Sequence, residues 1–145
     1  KNYILIYPNN DLGSKEILIE IEKLKSFDRI RIFPSLRFEY FLRLLKEAKF
    51  IIGNSSSGIR EAPVYGVQTI NLGERQKNRA GKVSNSIINL KFDERKILNI
   101  IKNLNKTRNN KKFIFGRGGS AKKFIQVINK NSFWLTSRQK HFAEN

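Results

Sequence analysis

Apolar runs of strand length alternate along this chain with stretches whose apolar residues recur at helical spacing. Tyr3-Ile4-Leu5-Ile6-Tyr7 is apolar throughout and is stopped by Pro8-Asn9-Asn10-Asp11, which is the length and punctuation of a buried strand and its turn. Ser14 is expected to cap a helix to about Phe27, with Ile17, Leu18, Ile21, Leu24 and the stem of Lys25 on one face. A second strand is expected over Arg29 to Phe33, ended by Pro34, and a helix over Arg37 to Lys49 carrying Phe38, Phe41, Leu42, Leu44, Leu45 and Ala48. Phe50 to Gly53 reads as a third strand, Ile59 to Tyr65 as a short helix ended by Gly66, and Val67 to Leu72 as a fourth strand. A polar loop follows from Gly73 to Gly81. Ser86 to Leu90 reads as a short strand, Asp93 to Leu104 as an amphipathic helix and Lys106 to Lys112 as a charged linker. A last helix is expected over Ala121 to Asn129, before an irregular tail.

Strands that are apolar throughout and alternate with helices indicate an α/β domain with a doubly wound, Rossmann-like parallel sheet covered on both faces. That architecture holds its ligand outside the carboxyl ends of the strands. Polar loops fall there: Pro8–Ser14, Pro34–Arg37, Asn54–Gly58 and Gly73–Arg79. Their convergence is the first pointer to function.

The Asn54-Ser55-Ser56-Ser57-Gly58 loop is chemically the most specific of them. Backbone N–H groups ahead of a helix, small side chains and hydroxyl donors together form an anion site. Glu61 cannot hold a phosphate, since like charges repel, but a carboxylate beside an anion loop can accept from the two hydroxyls of a ribose. Phosphate plus ribose points to a nucleotide. Asn and Ser are also ordinary residues ahead of a helix, with no ligand required.

Composition narrows the remaining classes. The 145 residues, 39% hydrophobic and 11% aromatic, suit a globular domain. The chain begins at Lys1 and has no methionine, so it is read as a fragment of a larger protein. With no cysteine and a single histidine, His141, thiolate chemistry, disulfides and His-rich metal or triad sites are not expected. No apolar run approaches the roughly 20 residues that span a bilayer, and no signal peptide is visible; no membrane partner and a cytoplasmic location are expected. The formal charge of +17 raises a polyanion-binding alternative. The lysines, however, are scattered among Asn and Ile rather than gathered in a stripe, so no specific nucleic-acid partner is expected.

Three ordered motifs carry a resemblance: Pro8-Asn9-Asn10-Asp11-Leu12-Gly13-Ser14-Lys15, Gly53-Asn54-Ser55-Ser56-Ser57-Gly58-Ile59-Arg60-Glu61-Ala62-Pro63, and Ile70-Asn71-Leu72-Gly73-Glu74-Arg75-Gln76-Lys77-Asn78-Arg79. With Phe33-Pro34-Ser35-Leu36-Arg37-Phe38-Glu39-Tyr40-Phe41-Leu42, they resemble the C-terminal half of the hydrolysing UDP-N-acetylglucosamine 2-epimerases of bacterial sialic acid and capsule synthesis. The resemblance implies the nucleotide-binding second domain of a GT-B-type architecture over residues 1–130, a C-terminal tail over 131–145, and a separate N-terminal domain as partner. It implies UDP-N-acetylglucosamine or UDP as ligand, a homo-oligomer, and no metal or other cofactor. Ser55, Ser56 and Ser57 would line the diphosphate, Glu61 the ribose, and Arg75 the anionic end. Asn9 would contact the nucleotide, and Leu36 and Phe41 the uracil, although Phe41 equally suits core packing. Arg60 and Arg79 would be phosphate neighbours, although both suit an ordinary solvated surface at least as well, and Lys15 matches a family lysine bound by a feedback ligand while reading here as a solvated helix residue. The family mechanism eliminates UDP to a glycal and hydrates it from the opposite face of C2. Its catalytic carboxylates and histidine lie in the first domain, so no catalytic residue is expected in this fragment. Gly116-Arg117-Gly118-Gly119 departs from the family's acidic Gly-Asp-Gly turn. A GT-B glycosyltransferase domain would use the same loops and stays open as an alternative.

Overall fold

A computed structural model describes residues 2–76, 79, 85–104 and 109–137; part of the Gly73–Gly81 loop, part of the Lys106–Lys112 linker and His141 lie outside them. The chain divides into two compact units, Lys1–Ile114 and Phe115–Asn145.

In the first unit, β1 (Tyr3–Ile6), α1 (Ser14–Glu22) and β2 (Ile30–Phe33) form a strand–helix–strand unit, with Tyr3 opposite Ile30 and Ile6 opposite Phe33 in a parallel ladder. Then follow α2 (Phe38–Glu47), β3 (Phe50–Gly53), two single turns α3 (Ser57–Arg60) and α4 (Ala62–Tyr65), β4 (Gln68–Leu72), β5 (Ile87–Leu90) and α5 (Glu94–Lys102). Strands β3, β4 and β5 pair in that order, all parallel. The class is the expected one, α/β with parallel strands and crossover helices. The ladder is divided into a two-stranded and a three-stranded sheet. Between β1 and β3 the contact is made by side chains, the Tyr3 ring standing edge-on to Phe50 at 6.4 Å between centroids.

Several boundaries move for identifiable reasons. Gly13, with φ +85°, is the residue that precedes α1, so Ser14 is its first helical residue rather than its cap. The helix closes at Glu22 and is continued to Phe27 only by tight turns, Leu24 N–H to Ile21 and Phe27 N–H to Leu24. The helix expected over Ile59 to Tyr65 is broken at Glu61. Pro63 has no N–H for the fourth carbonyl back, and its ring would crowd that carbonyl, so α4 restarts with the proline in its first turn. Asp93, expected as the first residue of its helix, instead caps α5, its carboxylate accepting from the Lys96 N–H at 3.0 Å; that bond is the first cause of a carboxyl pKa below the usual Asp value.

The core lies on the β4 side. Leu45, Ala62 and Val67 form a buried cluster with Phe41, Ala48, Ile51 and Tyr65 packed on it, and Ile59 and Ile70 are buried nearby in sequence. Each fully buried Leu, Ile or Val among them contributes roughly 1.5–3 kcal/mol by leaving water. Cover on both faces holds for β4 but not for β1: Tyr3, Ile4 and Ile6 are exposed, as is Ile17 on the expected apolar face of α1. Only Ile21 of that helix is buried, with Leu18 and Leu24 half-buried.

The second unit holds α6 (Ser120–Ile128), entered through Gly118 and Gly119 at positive φ, and α7 (Asn131–Trp134). The start of the tail is therefore ordered rather than irregular. The Trp134 indole N–H donates to the Ile128 carbonyl at 2.7 Å, satisfying a group that the end of α6 leaves open. Among the described residues no helix is long and apolar enough to cross a membrane.

Candidate functional site

The serine loop is seated on the covered part of the sheet by close packing. Strand β3 ends at Gly53, which lies opposite Asn71 of β4. The chain then turns through Asn54, Ser55 and Ser56 into α3. Gly58 lies flat on β4: a Cβ there would stand 2.7 Å from the Thr69 methyl, and the Thr69 hydroxyl donates to the Gly58 carbonyl at 2.7 Å. Within the loop, the Ser55 and Ser57 hydroxyls share a hydrogen bond of 2.8 Å, and the Ser57 N–H donates to Ser55 Oγ at 3.3 Å. This local turn chemistry is what serines favour ahead of a helix. It leaves the amides of Ser55 and Ser56 ahead of the first helical bond, which runs from Gly58 N–H to the Ser55 carbonyl. Because α3 and α4 are single turns, a long helix dipole is not available. Anion attraction would rest on local amides, hydroxyls and neighbouring cations. Glu61 is half-buried one turn beyond Ser57, its N–H donating to the Ser57 carbonyl at 3.1 Å.

Two contacts draw the neighbouring loops together. From the β4–β5 loop, Arg75 Nη2 stands 2.9 Å from Asp11 Oδ2 in the β1–α1 loop, with side chains 45% and 59% exposed. The next residue, Gln76, is 3% exposed and donates from Nε2 to the Asn54 carbonyl at 2.8 Å. Arg79 Nη1 reaches Gln76 Oε1 at a long 3.4 Å. The loops after β1, β3 and β4 therefore meet at the carboxyl ends of their strands, as the sequence pattern requires. The guanidinium expected to hold phosphate is engaged by a carboxylate. An exposed pair of this kind is weak, typically under about 1 kcal/mol, and a phosphate group can displace it.

Below the loops, the polar ends of β4 and β5 are tied together. Asn71 Nδ2 donates to Asn89 Oδ1 at 2.8 Å, while the buried Asn71 Oδ1 has no hydrogen-bond partner among the described residues. Of the other expected site residues, Asn9 is exposed in the β1–α1 loop and Leu36 is half-buried before α2. Phe41 packs against the Leu45–Ala62–Val67 cluster, which is its core role. Lys15 is exposed at the start of α1, as expected for a solvated residue. Gln76 and Asp11 were not singled out as site residues from the sequence; their neighbours in the motifs were. Among the described residues no group of three or more His, Cys, Asp or Glu side chains is placed to hold a metal ion.

Parallel strands, crossover helices and polar loops converging at the strand ends define a Rossmann-like α/β fold. The profile of the UDP-N-acetylglucosamine 2-epimerases matches residues 1–129, and the chain belongs to that family. It is 46% identical over 151 aligned positions to a UDP-N-acetylglucosamine 2-epimerase of Neisseria meningitidis serogroup B, covering 99% of this chain and 38% of that protein. It is 40% identical over 78 positions to the polysialic acid biosynthesis protein P7 of Escherichia coli, over 54% of this chain and 20% of that one. In structure it resembles the Methanocaldococcus jannaschii UDP-GlcNAc 2-epimerase crystallised with UDP-GlcNAc and UDP. The TM-score is 0.71 at 22% identity, covering 88% of this chain and 35% of that one. The chain thus spans little more than a third of the length of these full-length relatives.

Proposed function

We propose that residues 1–130 are the nucleotide-binding domain of a hydrolysing UDP-N-acetylglucosamine 2-epimerase, with 131–145 as a C-terminal tail. The whole protein would convert UDP-N-acetylglucosamine and water to N-acetylmannosamine and UDP for sialic acid and capsule synthesis. It would work in the cytoplasm as a homo-oligomer, without metal or other cofactor. One observation carries the reading: the serine loop and Arg75 lie on adjoining loops latched together by Gln76 and Asn54, in a chain that belongs to this family.

The roles follow from the chemistry of each group. Amides and hydroxyls of Ser55, Ser56 and Ser57 receive the diphosphate, and Arg75 exchanges Asp11 for a phosphate oxygen, where its planar fork fits two acceptors. Glu61 accepts from the ribose hydroxyls. Asn9, Leu36 and the half-buried Phe41 flank the base. Charge develops on the departing UDP, so fixed donors and a cation here stabilise the leaving group. The acid–base groups that act at C1 and C2 of the sugar belong to the partner domain outside this chain.

Isothermal calorimetry tests the reading. UDP is expected to bind, UMP more weakly and 2′-deoxy-UDP more weakly again. Glu61→Ala should weaken UDP about tenfold or more, as befits a hydrogen bond to a charged group. Equal affinity for UDP and 2′-deoxy-UDP would remove Glu61 from the ribose.

A further inference from the structure

We infer that Gln76 is a positioning residue that turns the Ser55 amide toward the anion, an inference that rests on the nucleotide reading above. A primary amide buried to this degree costs free energy unless its groups are paired. The Gln76 amide is paired with a backbone carbonyl from another loop, that of Asn54, at 2.8 Å. A trans peptide is planar, so its C=O and N–H point in opposite directions. The carbonyl of Asn54 and the N–H of Ser55 belong to one such peptide. By holding the carbonyl inward, Gln76 fixes the Ser55 N–H facing the other way. It also keeps a carbonyl lone pair, which would repel an anion, away from that position. The same side chain follows Arg75 directly, so the latch that orients the amide also anchors the loop bearing the guanidinium. One buried hydrogen bond thereby sets two of the anion's donors together.

The test separates positioning from general stability by comparing two ligands, UDP and uridine, which lacks phosphate. Two variants are measured by calorimetry beside the wild-type chain, with thermal unfolding as the control of folding. Gln76→Met keeps the length of the side chain and removes its donor. Gln76→Leu is shorter and branched, likewise has no donor and adds no charge. Both are expected to lose about tenfold in UDP affinity, in line with one lost hydrogen bond, while uridine affinity changes less than about twofold. Should Gln76→Met not fold, the Gln76→Leu result alone gives the same decision. Equal losses for UDP and uridine would overturn the inference in favour of a structural role. Unchanged UDP affinity in a folded variant would overturn it while leaving the nucleotide reading intact. A wild-type chain that binds no UDP would remove that reading, and this inference with it.

Discussion

The β3–β4–β5 part of the first unit and its β1–β2 part end up differently covered, although β1, Tyr-Ile-Leu-Ile, is more apolar than the buried β4, Gln-Thr-Ile-Asn-Leu. Ile70 and Val67 are 0% and 1% exposed, whereas Ile4 and Ile6 are 47% and 38% exposed. The difference continues into the loops. The serine loop is seated by Thr69 on Gly58 and by Gln76 on Asn54, through contacts made by buried side chains. The β1–α1 loop is joined to the site by the exposed Arg75–Asp11 pair. One wall of the candidate site is thus fixed by packing, and the other is joined to it by an exposed ion pair.

Glycine substitutions give the largest test of this contrast. Gly66 has φ +68° and an added Cβ would collide with the Asn109 carbonyl, whereas Gly13 has φ +85° with nothing within 4 Å of such a Cβ. Gly66→Ala is expected to destabilise by about 3 kcal/mol, the left-handed penalty plus a backbone clash. Gly13→Ala should lose only the first part, about 1 kcal/mol. Urea denaturation of both variants measures the gap, and equal losses would show that the two regions are equally packed.

A second test acts on the seat of the serine loop. Gly58→Ala should cost about 2 kcal/mol through overpacking against the Thr69 methyl. Adding Thr69→Ser removes that methyl, keeps the hydroxyl on the Gly58 carbonyl and should restore most of the loss. A double-mutant cycle with no coupling would mean that this contact does not seat the loop.

The wall joined by the ion pair is tested by ligand affinity. Arg75→Ala should weaken UDP about tenfold, equivalent to about 1.4 kcal/mol. Asp11→Asn removes the competitor for the same guanidinium and should strengthen UDP by about threefold at most. Weaker binding in Asp11→Asn would show that the carboxylate supports the ligand-bound arginine instead.

Acid titration is the smallest effect. The Asp93 carboxyl is held low by the Lys96 N–H, and the Glu22 carboxyl by Lys25 and then by the Tyr7 hydroxyl. A carboxyl whose folded pKa lies below its unfolded value stabilises the fold above the unfolded value, about 3.9 for Asp and 4.3 for Glu. That contribution disappears as pH falls through the lower folded value. Asp93→Asn and Glu22→Gln should therefore flatten the loss of thermal stability below about pH 4 slightly. Unchanged acid profiles would mean that neither carboxyl is coupled to folding.

Much of this was legible along the chain. The apolar run Phe50 to Gly53 gave β3 to the residue, and the amphipathic pattern from Asp93 gave the start of α5 to within one residue. The family resemblance placed the serine loop, Glu61 and Arg75 at strand ends because order along an α/β chain largely dictates position. Other features depend on tertiary contact. Gln76 sits in the run Glu74-Arg75-Gln76-Lys77-Asn78-Arg79, where nothing local separates a buried amide from its solvated neighbours. An apolar strand such as β1 states a preference for cover without naming what supplies it. The break at Glu61 was foreshadowed by Pro63, but whether a proline bends or divides a short helix is decided by the packing around it.

Hydrogen exchange with and without UDP tests the central claim most directly. Saturating UDP should slow exchange at the amides of Ser55 to Glu61 and Gly73 to Gln76, with Ser55 and Ser56 changing most and β2 little. Protection confined to other segments, or none at all under saturating UDP, would contradict the assignment of the nucleotide to the loops after β3 and β4.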